Sequence, residues 1–125
     1  MKKLSLYIFL ILMVCNVGFA ETGVEKGFKA SDLFEPKYVL ENYKKNILVK
    51  PYLFGLGEGM RTSATFQELF KDNSKIFCMP DKMRPSADDY FAIFKTQYFK
   101  LSEPENNLTA NVLIFGLEDT FPCKK

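Results

Sequence analysis

A chain of 125 residues with 17 basic and 15 acidic side chains lacks the positive excess of a nucleic-acid binder, and it contains no histidine at all. Neither a Ser-His-Asp nor a Cys-His nucleophile pair can be built from it, and zinc loses its commonest nitrogen ligand. Carboxylate chemistry remains, with Asp88, Asp89, Glu103, Glu105 and Glu118 as candidates, but helix starts and solvated loops account for most of these, so no catalytic residue, metal or cofactor is expected.

Lys2-Lys3, the apolar run Leu4 to Val14 and the small residues around Gly18-Phe19-Ala20 form a secretory leader, with cleavage expected after Ala20. The run is too short for a membrane span, which needs about 20 residues, and no later stretch competes with it. A lipid anchor on Cys15 is disfavoured because Val14 is branched where a small residue normally stands. Residues 1–20 are therefore read as signal peptide and 21–125 as one domain. Lys2 and Lys3 depart with the leader, so the exported chain is formally neutral, with no membrane association expected of it.

Residues Glu21 to Lys29 show no apolar period, and Ala30 to Phe34 suit a single helical turn ended by Pro36. Tyr38, Val39, Leu40, Tyr43 and Ile47 then predict a helix over Lys37 to Leu48. Pro51 opens the next, where Tyr52, Leu53, Leu56 and Met60 form one stripe. Three glycines burden that helix. Gly55 and Gly59, four apart and so on one face, are read as a close-packing surface, either for another helix of the chain or for a second copy. Thr65 to Phe70 reads as a short separate helix ended by Asp72-Asn73-Ser74, and Ile76-Phe77 as a buried approach to Cys78.

Ser86, with Asp89 three residues on, approximates a capping box and starts a helix over Ala87 to Leu101. Its stripe of Tyr90, Phe91, Phe94, Tyr98 and Leu101 is assigned to the core. After the polar connection Ser102 to Asn107, a last helix from Leu108 to Phe121 carries Ala110, Leu113, Ile114, Leu117 and Phe121 at helical spacing. Without Cys15, which leaves with the leader, Cys78 and Cys123 are the only cysteines, and in an exported chain they are expected to pair. The fold expected is all-α, a small single-domain bundle of about four to five helices with one disulfide.

The brackets Phe77-Cys78-Met79-Pro80 and Phe121-Pro122-Cys123, the two helices and Glu103-Pro104-Glu105 between them, and Tyr52-Leu53-Phe54-Gly55 upstream, resemble the Rap/Tai family of type VI secretion immunity proteins. The resemblance runs from about Pro51 to Cys123; some relatives carry further cysteines in the first half, which this chain lacks. It implies a periplasmic helical protein, often a homodimer, that binds a peptidoglycan-cleaving amidase toxin and occludes its active site without catalysis of its own. Because the apolar stripes are committed to the core, the toxin-binding residues expected are Asp81, Lys82, Met83 and Arg84, with Glu103, Glu105 and Asn106. A periplasmic stress chaperone is the alternative function from another class, and a small carboxylate enzyme of the cell wall the third.

Overall fold

The computed structural model describes residues 27–69 and 75–124. The leader expected at residues 1–20, the stretch to residue 26 and the expected stop at Asp72-Asn73-Ser74 lie outside these residues. The fold is all-α, with four helices among the described residues: α1 (Pro36–Asn42), α2 (Val49–Leu69), α3 (Ala87–Lys100) and α4 (Thr109–Thr120). Two 3-10 turns accompany them, Ala30–Phe34 before α1 and Pro104–Asn106 between α3 and α4. No strand occurs among the described residues.

The helix predicted over Lys37 to Leu48 is corrected at both ends. It starts at Pro36, whose fixed φ and missing N–H suit the first helical position, and it ends at Asn42. Asn46 is the reason the chain turns there. Its buried side chain accepts from the Leu48 N–H at 3.0 Å and donates to the Tyr38 hydroxyl at 2.9 Å, and its carbonyl accepts from the Val49 N–H at 3.1 Å. An asparagine that bonds the backbone two residues on offers the chain an alternative to helix and so sets up the entry to α2.

The short helix expected at Thr65 to Phe70 is no separate element. Residues 61–64 are helical too, so α2 runs unbroken from Val49 to Leu69, about 30 Å at 1.5 Å per residue.

The expectation for Gly55 and Gly59 is corrected in its intrachain form. A Cβ at either would meet nothing within 4 Å, whereas a Cβ at Gly57 would lie 2.5 Å from the Tyr90 ring. Gly57 is therefore the residue that lets α3 approach α2.

Ser86 and Asp89 form the capping box read from the sequence. The Asp89 N–H donates to Ser86 Oγ at 3.2 Å, and the Ser86 N–H donates to Asp89 Oδ2 at 2.7 Å. From that start α3 buries Tyr90, Phe94, Gln97 and Tyr98, while Phe91 and Leu101 stay half-buried. In α4 the buried face is Thr109, Val112, Leu113, Gly116 and Leu117. This is the predicted stripe turned about the helix axis: Ala110, Ile114 and Phe121 are only half-buried, and Val112 and Gly116 take their place. Gly116 explains the rotation, since a Cβ there would sit 2.8 Å from Ile93 and 3.1 Å from its carbonyl oxygen, so α3 and α4 cross closely at this point.

The core that results joins every helix, with Val39 and Tyr43, Val49 and Leu53, Tyr90 and Phe94, and Val112, Leu113 and Leu117 in one cluster with Phe77. Phe77 is buried as expected, but Ile76 beside it is exposed. No described helix is long and apolar enough to cross a membrane.

Candidate functional site

Cys78 and Cys123 form a disulfide, with Cα atoms 4.9 Å apart. Beside it the Cys78 N–H donates to the Phe121 carbonyl at 2.8 Å. The two brackets are thus tied by a covalent and a backbone bond, and α3 and α4 become a closed antiparallel pair whose cysteines stand 45 positions apart in sequence. Closing a loop of that length contributes about 4 kcal/mol on the chain-entropy account.

Between the disulfide and α3 lies the first expected contact segment. Asp81, Lys82, Met83 and Arg84 are all exposed, and the segment is held in shape by its own groups. The Met83 N–H donates to the Pro80 carbonyl at 2.9 Å, and the Arg84 guanidinium donates to the carbonyls of Asp81 at 2.6 Å and Met83 at 2.9 Å. Arg84 is therefore spent on bracing the loop, which leaves Lys82 and the 40 % exposed Met83 as the groups presented outward. Pro85 behind them is buried.

The second expected segment is also braced. Asn106 Nδ2 donates to Glu103 Oε2 at 2.6 Å, Asn107 Nδ2 donates to the Glu103 carbonyl at 3.3 Å, and Glu105 lies 3.9 Å from Lys37 of α1. The two segments do not meet. They cap opposite ends of α3, whose 14 residues span about 20 Å, so the seven expected contact residues form two sites instead of one surface.

A polar cluster that sequence reading missed links α2 to the start of α3. Tyr90, fully buried as a residue, donates its hydroxyl to Glu58 Oε1 at 2.8 Å, and Arg61 Nη2 donates to Glu58 Oε2 at 2.8 Å. The Arg61 hydrogen bonds, with the Tyr90 hydroxyl, hold the Glu58 carboxyl below the usual range, and burial together with Glu58 pushes the Tyr90 phenol up. Glu58 and Arg61 three apart on one helix was the available signal; the partnership with Tyr90, 32 residues on, left no local trace.

The carboxylates offered for catalysis are occupied otherwise. Asp88 accepts from the Tyr43 hydroxyl at 2.7 Å and lies 3.4 Å from Lys50. The Tyr43 hydrogen bond, then Lys50, hold its carboxyl low, while the Ser86 backbone N–H does the same for Asp89. Glu103 bonds its own loop, and Glu118 is exposed on α4. No group of three His, Cys, Asp or Glu side chains placed to hold a metal ion occurs among the described residues. A cleft of about 30 Å³ between Arg61, Phe77 and Asp81 has room for little beyond a water molecule. What this end of the molecule offers chemically is a fixed, exposed loop on a covalently closed helix pair.

No known protein family, curated protein or solved structure matches this chain.

Proposed function

We propose that the chain is a periplasmic immunity protein that binds a peptidoglycan-cleaving amidase toxin delivered by type VI secretion and occludes its active site. One observation carries the reading: the brackets Phe77-Cys78-Met79-Pro80 and Phe121-Pro122-Cys123 are joined by their cysteines around a pair of helices, with a braced, exposed loop at the joined end. An occluding segment has to keep its shape before it meets the enzyme, because every rotamer ordered on binding subtracts from affinity. The loop Asp81 to Arg84 meets that need, with Met83 as an apolar anchor and Lys82 as its polar flank. The opposite loop at Glu103, Glu105 and Asn106 is a contact for a different face of the toxin or for a second copy. The secretory leader read at residues 1–20 supports the reading, because export would carry the protein to the compartment where such a toxin acts. A homodimer belongs to the same reading, and Gly55 and Gly59, with open space around them on α2, are the face proposed for it. The test is whether a gene beside this one encodes a peptidoglycan amidase and whether the purified protein inhibits that enzyme.

A further inference from the structure

Along one side of α3 runs a groove of about 330 Å³, the volume range of small ligand sites. Leu40 and Phe91 form its floor with Tyr43, whose ring stacks on Phe91 with centroids 3.8 Å apart and planes 5° apart. Phe99, 67 % exposed, closes one end. Phe91, Lys95 and Phe99 are four residues apart on α3, so they share a face. Against this apolar floor stand three lysines, Lys44, Lys45 and Lys95, and a single carboxylate, Glu41. The three lysines are exposed, and none makes an ion pair among the described residues. Elsewhere on the surface lysines do pair, as Lys37, Lys50 and Lys100 show.

We propose that this groove docks an acidic segment of a partner protein, with an aromatic or branched aliphatic side chain of that segment seated between Phe91 and Phe99 and its carboxylates on Lys44, Lys45 and Lys95. The division of labour is that of other protein interfaces. A buried apolar anchor supplies most of the affinity, and complementary charge at the rim supplies rate and selectivity. An open trough flanked by cations on two elements, the end of α1 with its turn and the side of α3, fits an extended segment held along its length. The site is separate from the loop at Asp81 to Arg84, and it holds whether or not the partner is an amidase.

The experiment uses a short fluorescent peptide in which glutamates flank a central Leu-Phe pair, with two controls, one replacing the glutamates by lysine and one replacing Leu-Phe by serine. Fluorescence anisotropy with the purified protein is expected to show binding of the acidic apolar peptide that weakens as salt is added, with each control bound about tenfold more weakly or worse. Lys95→Glu and Lys45→Glu are expected to weaken it about tenfold, and Phe99→Ala comparably, with melting temperatures unchanged because all three side chains are exposed. No binding, or equal binding of the lysine peptide, overturns the proposal. So does binding indifferent to both Lys95→Glu and Phe99→Ala. Two other results overturn it in favour of a different occupant: retention of the protein on phosphatidylglycerol vesicles that Lys95→Glu abolishes while the peptide fails to bind, or a dimer in sedimentation that Phe99→Ala dissociates.

Discussion

Gly57 lies so close to the face of Tyr90 that a Cβ on it would stand 2.5–2.6 Å from three ring atoms. Tyr90 is fully buried and its hydroxyl is tied to Glu58, so the ring has no room to withdraw. Gly57→Ala is expected to destabilise by about 1–3 kcal/mol, overpacking outweighing the gain in helix propensity. Gly55→Ala and Gly59→Ala, in open space on the same helix, are expected to stabilise by up to about 1 kcal/mol each. Urea denaturation of the three variants reads the opposite signs, and a homodimer weakened by the two outer changes would place the second copy on that face.

The contact between Tyr90 and Glu58 also sets a pH dependence. Glu58 has its carboxyl held low by Arg61 and Tyr90 in the folded chain, so the unfolded chain takes up its proton first. The stability it contributes is present above the ordinary glutamate value of about 4.3 and is lost as pH falls through the lower folded value. At neutral pH Glu58→Gln is expected to cost about 1–3 kcal/mol by leaving Arg61 and Tyr90 with a weaker partner. The gap between wild type and variant should close as pH falls below about 4.3. At the other extreme Tyr43 and Tyr90 are both held neutral, burial being the first cause in each. Unfolded tyrosines ionise near pH 10, so stability is expected to decline above about that pH. Thermal melts across the range check both limbs.

Reduction of the bond between Cys78 and Cys123 is expected to cost about 2–5 kcal/mol. The Cys78→Ser, Cys123→Ser double variant should melt lower by a matching amount and become insensitive to dithiothreitol. A variant that melts with the wild type would show that the bracket adds nothing to the fold.

The sequence already carried α3, because Ser86 and Asp89 mark its start locally and the aromatic spacing marks its inner side. The pairing of the cysteines was legible for a different reason, since reading residues 1–20 as a leader leaves two cysteines and one intramolecular choice. The end of α1 was not. Tyr43 and Ile47 continue the helical period, while the buried side chains of Asn46, bonded to Leu48 and Tyr38, and of Asn42, bonded to the Tyr38 carbonyl, engage the chain at the turn. Burial decided between the glycines as well, for spacing selects Gly55 with Gly59, while contact with Tyr90 selects Gly57. At the candidate site the exposed positions of Asp81 to Arg84 and of Glu103, Glu105 and Asn106 follow from their exclusion from the stripes. That the two sets sit at opposite ends of α3, and that Arg84 folds back on its own loop, depends on tertiary geometry with no periodic signature.

Core and loop substitutions are expected to separate stability from binding. Leu113→Ala, in a fully buried position, should cost about 2–5 kcal/mol. Lys82→Ala with Met83→Ala should change stability by less than about 0.5 kcal/mol and still weaken toxin binding by about 2 kcal/mol if Met83 is the anchor. Arg84→Ala is a different case, since losing its bonds to Asp81 and Met83 frees the loop and should weaken binding through lost order. Calorimetric titration beside thermal melts distinguishes the three.

The most direct test of the immunity reading is to establish whether a gene beside this one encodes a peptidoglycan amidase and, with that enzyme purified, to follow muropeptide release from peptidoglycan chromatographically with increasing amounts of this protein. The account expects release to stop near one equivalent of inhibitor, and to continue when Lys82 and Met83 are both replaced by alanine in a chain that still melts with the wild type. Undiminished release in the presence of excess folded wild-type protein would contradict it.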